Sequence, residues 1–199
     1  MKKKNIAVLV SGGGTNLQAL IDAQNSGIIS SGKITLVISN NKNAYALERA
    51  KSAKIDTACV IKKECNSQLD FENKIINLLK SYNIDLIVLA GFMCILSKSF
   101  TDLYKDKILN VHPSLIPSFC GEGFYGLKVH EKALEYGVKV TGATVHFVNE
   151  VPDGGKIIKQ KAVEVLNGDT PEILQRRVME QAEWVILPLA VEEVCSQML

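Results

Sequence analysis

Apolar residues fall into two alternating kinds of run along this chain. Short continuous runs rich in Val, Ile and Leu stop at glycine, serine or asparagine, and between them lie longer stretches with an apolar residue every three or four positions. The first kind predicts strands buried on both faces, the second amphipathic helices. Asn5 to Val10 (NIAVLV), Lys33 to Ser39 (KITLVIS), Thr57 to Ile61, Ile84 to Leu89 (IDLIVL) and Lys107 to Val111 (KILNV) read as strands. Thr15 to Gln24, Ala44 to Ala53 and Phe71 to Leu79 read as helices, the first stopped by Gly27. Strands separated by single helices imply right-handed crossovers, hence an α/β fold: an open, Rossmann-like, mostly parallel sheet with helices on both faces. From Val140 the pattern changes. Val140 to Val148 and Lys156 to Val165 follow one another across Pro-Asp-Gly-Gly, which predicts a C-terminal antiparallel hairpin. Thr170 to Leu187 reads as a closing helix, with Thr170 as N-cap and Pro171 at the first helical position. No linker, repeat or low-complexity stretch intervenes, so residues 1–199 are expected to form one domain.

Composition narrows the function classes. Of 199 residues, 47% are hydrophobic and 22% charged, which suits a globular core and argues against disorder. The formal net charge of +2 is too small a basic surplus to point to nucleic acid. Apolar runs are too short to span a bilayer, and the one after Met1-Lys2-Lys3-Lys4 ends at once in Ser-Gly-Gly-Gly, so neither a membrane span nor a signal peptide is expected and the cytoplasm is the predicted location. Five scattered cysteines without a Cys-x-x-Cys pair, and three distant histidines, predict reduced thiols and no metal site.

In open α/β sheets ligands bind beyond the carboxyl ends of the strands. After the first strand stands Ser11-Gly12-Gly13-Gly14-Thr15-Asn16-Leu17, whose glycines and following helix N-terminus suit a monophosphate. The sequence lacks both the last glycine of the dinucleotide fingerprint and the Gly-Lys-Ser/Thr of a P-loop. Without an anion it is simply a tight strand-to-helix turn. After the fifth strand, Asn110 and His112 share one face and can both address one developing oxyanion; the alternative is a structural histidine. Asp153 in Pro152-Asp153-Gly154-Gly155 is an ordinary turn residue unless the turn folds back over His112, where its charge would hold the imidazole cationic. His146 reads as a second polar contact or a surface residue, His130 as solvated helix surface, and Cys120 as a thiol without a nucleophile signature.

The ordered segments SGGGTNLQAL (Ser11 to Leu20), VLAGFMCILS (Val88 to Ser97), LNVHPSLIP (Leu109 to Pro117) and GATVHFVNEVPDGGKII (Gly142 to Ile158) resemble the glycinamide ribonucleotide formyltransferases over essentially the whole chain. The resemblance implies a formyltransferase fold and transfer of a formyl group from 10-formyltetrahydrofolate, a co-substrate, to the glycinamide amine in purine synthesis, with no metal. It implies Asn110, His112 and Asp153 as the catalytic trio. Gly13, Gly14, Thr15, Asn16 and Glu183 would hold the substrate's phosphate and ribose. Phe92, Met93, Cys94, Ile95 and Leu96, with Asn149, Glu150 and Val151, would form the folate pocket. The implied partners are small molecules, with no nucleic acid and no membrane, and a weak homodimer is left open.

Three positions depart from the family pattern. Gln68 stands where a basic residue near the phosphate is common, with Lys62 and Lys63 nearby; Cys94 stands where an Arg is common; and Ser118 to Leu127 (SFCGEGFYGL) is a longer loop after the catalytic histidine. Methionyl-tRNA formyltransferase and formyltetrahydrofolate deformylase share the trio but carry further domains, so the length argues against both. Hydrolysis of formyltetrahydrofolate and a non-catalytic phosphosugar or folate sensor are the remaining alternatives, and a sensor would have no use for the trio.

Overall fold

The strand runs take up their places in one seven-stranded sheet. The computed structural model describes residues 3–199. The strands are β1 (Lys4–Val10), β2 (Gly32–Ser39), β3 (Asp56–Cys59), β4 (Leu86–Leu89), β5 (Ile108–His112), β6 (Val140–Phe147) and β7 (Ile157–Glu164), in the order β3-β2-β1-β4-β5-β6-β7. The first five are parallel; β6 pairs antiparallel with β5, and β7 antiparallel with β6. The predicted parallel sheet and antiparallel hairpin are therefore both present. The continuous apolar run of β1 has a direct cause. Ile6, Val8 and Val10 pack into one core beneath α1 (Thr15–Asn25), α2 (Tyr45–Ser52) and α7 (Trp184–Gln197). Ala7 and Leu9 pack into the other, with Phe71 and Ile75 of α3 (Gln68–Ser81) and Phe100 of α4 (Lys98–Leu103). Each face of the sheet is covered, so every position from Ile6 to Val10 is apolar.

The chain goes from β1 outward through β2 to β3, then crosses back to β4 on the other side of β1. The connections leaving β1 and β4 therefore diverge, which opens a crevice at the carboxyl ends of these two strands. The segments after β5 and β6 close its far side.

Several elements differ from expectation. α3 starts three residues early because Ser67 caps it, its hydroxyl accepting the Asp70 N–H at 3.1 Å. α4 is six residues long, too short to show a period in sequence. α5 (Leu127–Tyr136) lies between the long loop and β6. The closing helix is not one continuous helix ending at Leu187. α6 (Pro171–Val178), capped by Thr170, passes into a π-helical turn at Met179–Glu183, and α7 then runs on to Gln197. Pro188 lies inside α7 and lacks an N–H for the helix. Burial of Leu187, Pro188, Ala190, Val191 and Val194 outweighs that missing bond.

Candidate active site

The turn after β1 is built as an anion nest. The carbonyls of Ser11, Gly12, Gly13 and Gly14 accept hydrogen bonds from Asn41 Nδ2 (3.3 Å), Ala46 N (3.1 Å), Arg49 Nε (2.9 Å) and Gln18 N (2.9 Å) respectively. In a trans peptide the N–H points opposite to the C=O. Fixing these four successive carbonyls, three by Asn41 and α2 and the last within the first turn of α1, thus turns the N–H groups of Gly12, Gly13, Gly14 and Thr15 the other way, and none of them has a protein acceptor among the described residues. The N-terminus of α1 adds its positive end to the same space. Gly14 is required twice over: its φ is 73°, and a Cβ there would stand 2.6 Å from that of Ala46. At the edge of the nest Asn16 Nδ2 donates to Glu183 Oε2 at 2.7 Å. Glu183 comes from the π-helical turn and is buried; desolvation raises its carboxyl above the ordinary value and the Asn16 bond offsets part of that.

On β5, Asn110 and His112 share a face, as their spacing predicts, and the turn after β6 does fold back over them. Asp153 reaches both: Oδ2 lies 3.4 Å from His112 Nδ1, and Oδ1 accepts from Asn110 Nδ2 at 3.4 Å. Asp153 itself is left-handed, φ 55°, and Gly155 lets its turn lie against the β6 backbone, since a Cβ on it would fall 1.7 Å from the Phe147 carbonyl oxygen. His146 is the residue that the sequence reading left unsettled. It pairs with Asn110 across β5 and β6, is buried, and sits 3.3 Å from Asn110 Nδ2 and 3.5 Å from Asp153 Oδ1. Its Nδ1 donates to the Phe147 carbonyl at 2.8 Å, which fixes the ring with Nε2 turned toward Asn110 and Asp153. Strand parity could not find it, because β6 is buried on both faces and Thr144, of the same parity, is buried too.

The long loop closes the cluster from outside. The Phe119 carbonyl accepts from His112 Nε2 at 2.9 Å and Gly121 N–H donates to Asp153 Oδ2 at 2.9 Å. This enclosure corrects the expectation of a cationic His112. Burial pushes its pKa below the ordinary value, more than Asp153 and the Phe119 carbonyl raise it, so the ring is neutral at pH 7 with its proton on Nε2. Burial alone would raise Asp153; hydrogen bonds from His146 and Gly121 and the nearby rings hold it low instead. Burial, then Asp153, push the Cys120 thiol pKa up, away from the thiolate form.

His130 is a second correction. It is fully buried rather than solvated, neither ring nitrogen has a partner, and burial followed by the proximity of His112 lowers its pKa to about 4. On an amphipathic helix of mixed composition, nothing in the sequence marks which face turns inward there.

The segments expected at the folate line a small cavity of about 160 Å³: Phe92, Cys94, Ile95, Leu96, Asn149, Glu150 and Val151, with Asn110, His146 and Asp153 at its polar end. Met93 stands apart. Its side chain is exposed, and its N–H donates to Ser11 Oγ at 2.8 Å, which ties this segment to the nest. Cys94 Sγ accepts from Asn40 Nδ2 at 2.9 Å, and Gln68 Nε2 donates to Glu72 and to the Ile95 carbonyl, so Gln68 braces the pocket segment from α3. Lys62 and Lys63 lie exposed on a short 3-10 turn. A concavity of about 590 Å³ between α1 and α7 is lined by Ala19, Ala23, Trp184 and Pro188 and contains none of the trio. Among the described residues no cluster of His, Cys, Asp and Glu could hold a metal ion, and no helix is long and apolar enough to cross a membrane.

Known proteins resemble this chain over nearly its whole length. Phosphoribosylglycinamide formyltransferase of Haemophilus influenzae is 46% identical over 189 residues, covering 95% of this chain and 86% of the relative. The human trifunctional purine biosynthetic protein adenosine-3 is 46% identical over 195 residues, 98% of this chain but 19% of that protein. The crystal structure of glycinamide ribonucleotide transformylase 1 from Symbiobacterium toebii has a TM-score of 0.91 at 41% identity, covering 98% of this chain and 89% of that one. With an anion nest beside an Asn–His–Asp cluster, these likenesses define an α/β enzyme of the group-transfer class. Residues 4–191 match the formyl transferase family, and the chain belongs to it.

Proposed function

We propose that this enzyme transfers the formyl group of 10-formyltetrahydrofolate to the amine of glycinamide ribonucleotide, a step of purine biosynthesis. The observation that carries the reading is the cluster of Asn110, His112 and Asp153, of which Asn110 and Asp153 line the end of a cavity whose wall segment is tied through Met93 and Ser11 to the glycine turn. A phosphorylated acceptor would dock its phosphate on the N–H groups of residues 12–15. Asn16 and Glu183 stand where its ribose would lie. The folate would enter past Ile95 and Val151, both exposed at the cavity rim. The apolar walls suit a flat ring, and the volume suits the end of such a ligand rather than its whole length.

Attack of the amine on the formyl carbon develops negative charge on the formyl oxygen; as that charge collapses the formyl carbon–N10 bond breaks, and tetrahydrofolate leaves with the proton lost by the amine on N10. Asn110 Nδ2 and His112 Nε2 would donate to that oxygen, both held in place before the reaction begins. The Phe119 carbonyl occupies the His112 donor in the present arrangement, so loop 118–126 must yield that hydrogen bond when substrate binds. Asp153 is held ionised and would favour positive charge on His112 as the oxyanion forms, and it would take up or relay the proton released by the amine. Residues 1–199 would act as one catalytic domain.

The test is spectrophotometric formyl transfer with and without glycinamide ribonucleotide. Acceptor-dependent loss of formylfolate is expected. Loss without acceptor would make the enzyme a hydrolase, and ligand binding without turnover would make it a sensor.

A further inference from the structure

We propose that Arg49 is a positioning residue for the ribonucleotide's phosphate, keeping the nest in its binding shape through the Gly13 carbonyl. This rests on reading residues 12–15 as the phosphate site. The chain has three arginines. Arg176 and Arg177 pair with carboxylates, Glu180 and Asp169. Arg49 instead directs its guanidinium at the loop: Nε donates to Gly13 O at 2.9 Å, Nη1 donates to Gln18 Oε1 at 3.1 Å, and the group lies over the Tyr45 ring, 5.0 Å from its centre.

The chemistry of the Gly13–Gly14 peptide makes this contact consequential. Glycine on both sides removes the steric barriers that fix other peptide planes, and a Cβ at Gly13 would meet nothing within 4 Å. Left free, that plane could flip and present its carbonyl, rather than the Gly14 N–H, to an incoming anion. Neighbouring planes are held by other means. The Gly12 carbonyl is fixed by the Ala46 backbone and the Gly14 carbonyl by the first turn of α1. Only the plane between Gly13 and Gly14 depends on a long side chain. The planar guanidinium, fixed between loop, Gln18 and Tyr45, supplies one directed donor and positive charge behind the nest; a lysine would supply the charge without the fork.

Two measurements on wild type, Arg49→Met and Arg49→Lys test this. In steady-state formyl transfer, Arg49→Met should raise KM for glycinamide ribonucleotide about tenfold, the scale of one charge-assisted hydrogen bond, with kcat within about twofold of wild type. With the dephosphorylated glycinamide riboside as acceptor, kcat/KM should not change, and Arg49→Lys should fall between the two. Unchanged KM for the ribonucleotide, or an equal loss with both acceptors, would overturn the proposal, the second by showing a merely structural role. Ribose 5-phosphate binding, followed through the backbone amide signals of residues 12–15, reads the nest without turnover. Affinity should drop about tenfold in Arg49→Met, and equal affinity would overturn the proposal. A wild-type enzyme that binds ribose 5-phosphate but transfers no formyl group would refute the proposed reaction and leave the role of Arg49 standing. One that binds no phosphate would refute both.

Discussion

Asn110 and His112 can act on one atom because side chains two apart on a strand project from the same face. That much is visible in Leu109-Asn110-Val111-His112. Their energetic setting is not. His112 is neutral because the loop at Phe119 and the turn at Asp153 exclude water from it, and both come from distant parts of the chain. Removing one donor of an oxyanion site costs about 10²- to 10³-fold in turnover, so Asn110→Ala and His112→Ala should each lose that order in kcat while binding folate normally, as measured by fluorescence titration. Near-normal turnover in either would remove that residue from the mechanism. His130 offers a stability measurement. Its folded pKa of about 4 lies below its ordinary 6.5, so the unfolded chain takes up the proton first as pH falls. Its contribution is complete above about pH 6.5 and is lost toward pH 4, at about 1.4 kcal/mol per pH unit. Between pH 7 and pH 5, His130→Leu should therefore lose ~2 kcal/mol less stability than wild type in urea unfolding. Parallel losses in the two proteins would contradict the unpartnered, neutral histidine.

The turn between β6 and β7 and the π-helical turn each deliver one carboxylate. Pro152-Asp153-Gly154-Gly155 reads in sequence as an ordinary hairpin tip, and its function depends on how closely it returns to β6. Gly155 allows that approach. Gly155→Ala should push the turn off the Phe147 carbonyl and misplace Asp153, with a drop in kcat on the order of 10²-fold. Full activity would show that the turn tolerates displacement. Met179–Glu183 carries no sequence mark of a π turn, because apolar spacing across Leu174, Val178, Ala182, Ile186 and Leu187 fits a continuous helix well enough. The extra residue in that turn sets which face Glu183 occupies, opposite Asn16. In α7, apolar burial likewise carries the helix through Pro188.

Both cores lie against the same sheet, and β1 contributes to each. A chain joined in this way should unfold in one cooperative transition, with ellipticity and Trp184 fluorescence coincident in urea. Two separated transitions would refute one domain. Within this frame, local sequence determined what depends on neighbours along the chain: the strands through their apolar runs, the nest through three glycines before a helix, and the Asn110–His112 pair through a period of two. It also carried the family resemblance, which the full-length likenesses bear out. Tertiary structure alone decided the rest. Strand order brought β1, β4 and β5 together, so that the glycine turn, the Phe92–Leu96 segment and Asn110–His112 all stand at the carboxyl ends of neighbouring strands. Burial decided that His112 and His130 are neutral and that His146 belongs to the cluster, because desolvation depends on what the remaining chain packs against a side chain and not on which residues stand beside it in sequence.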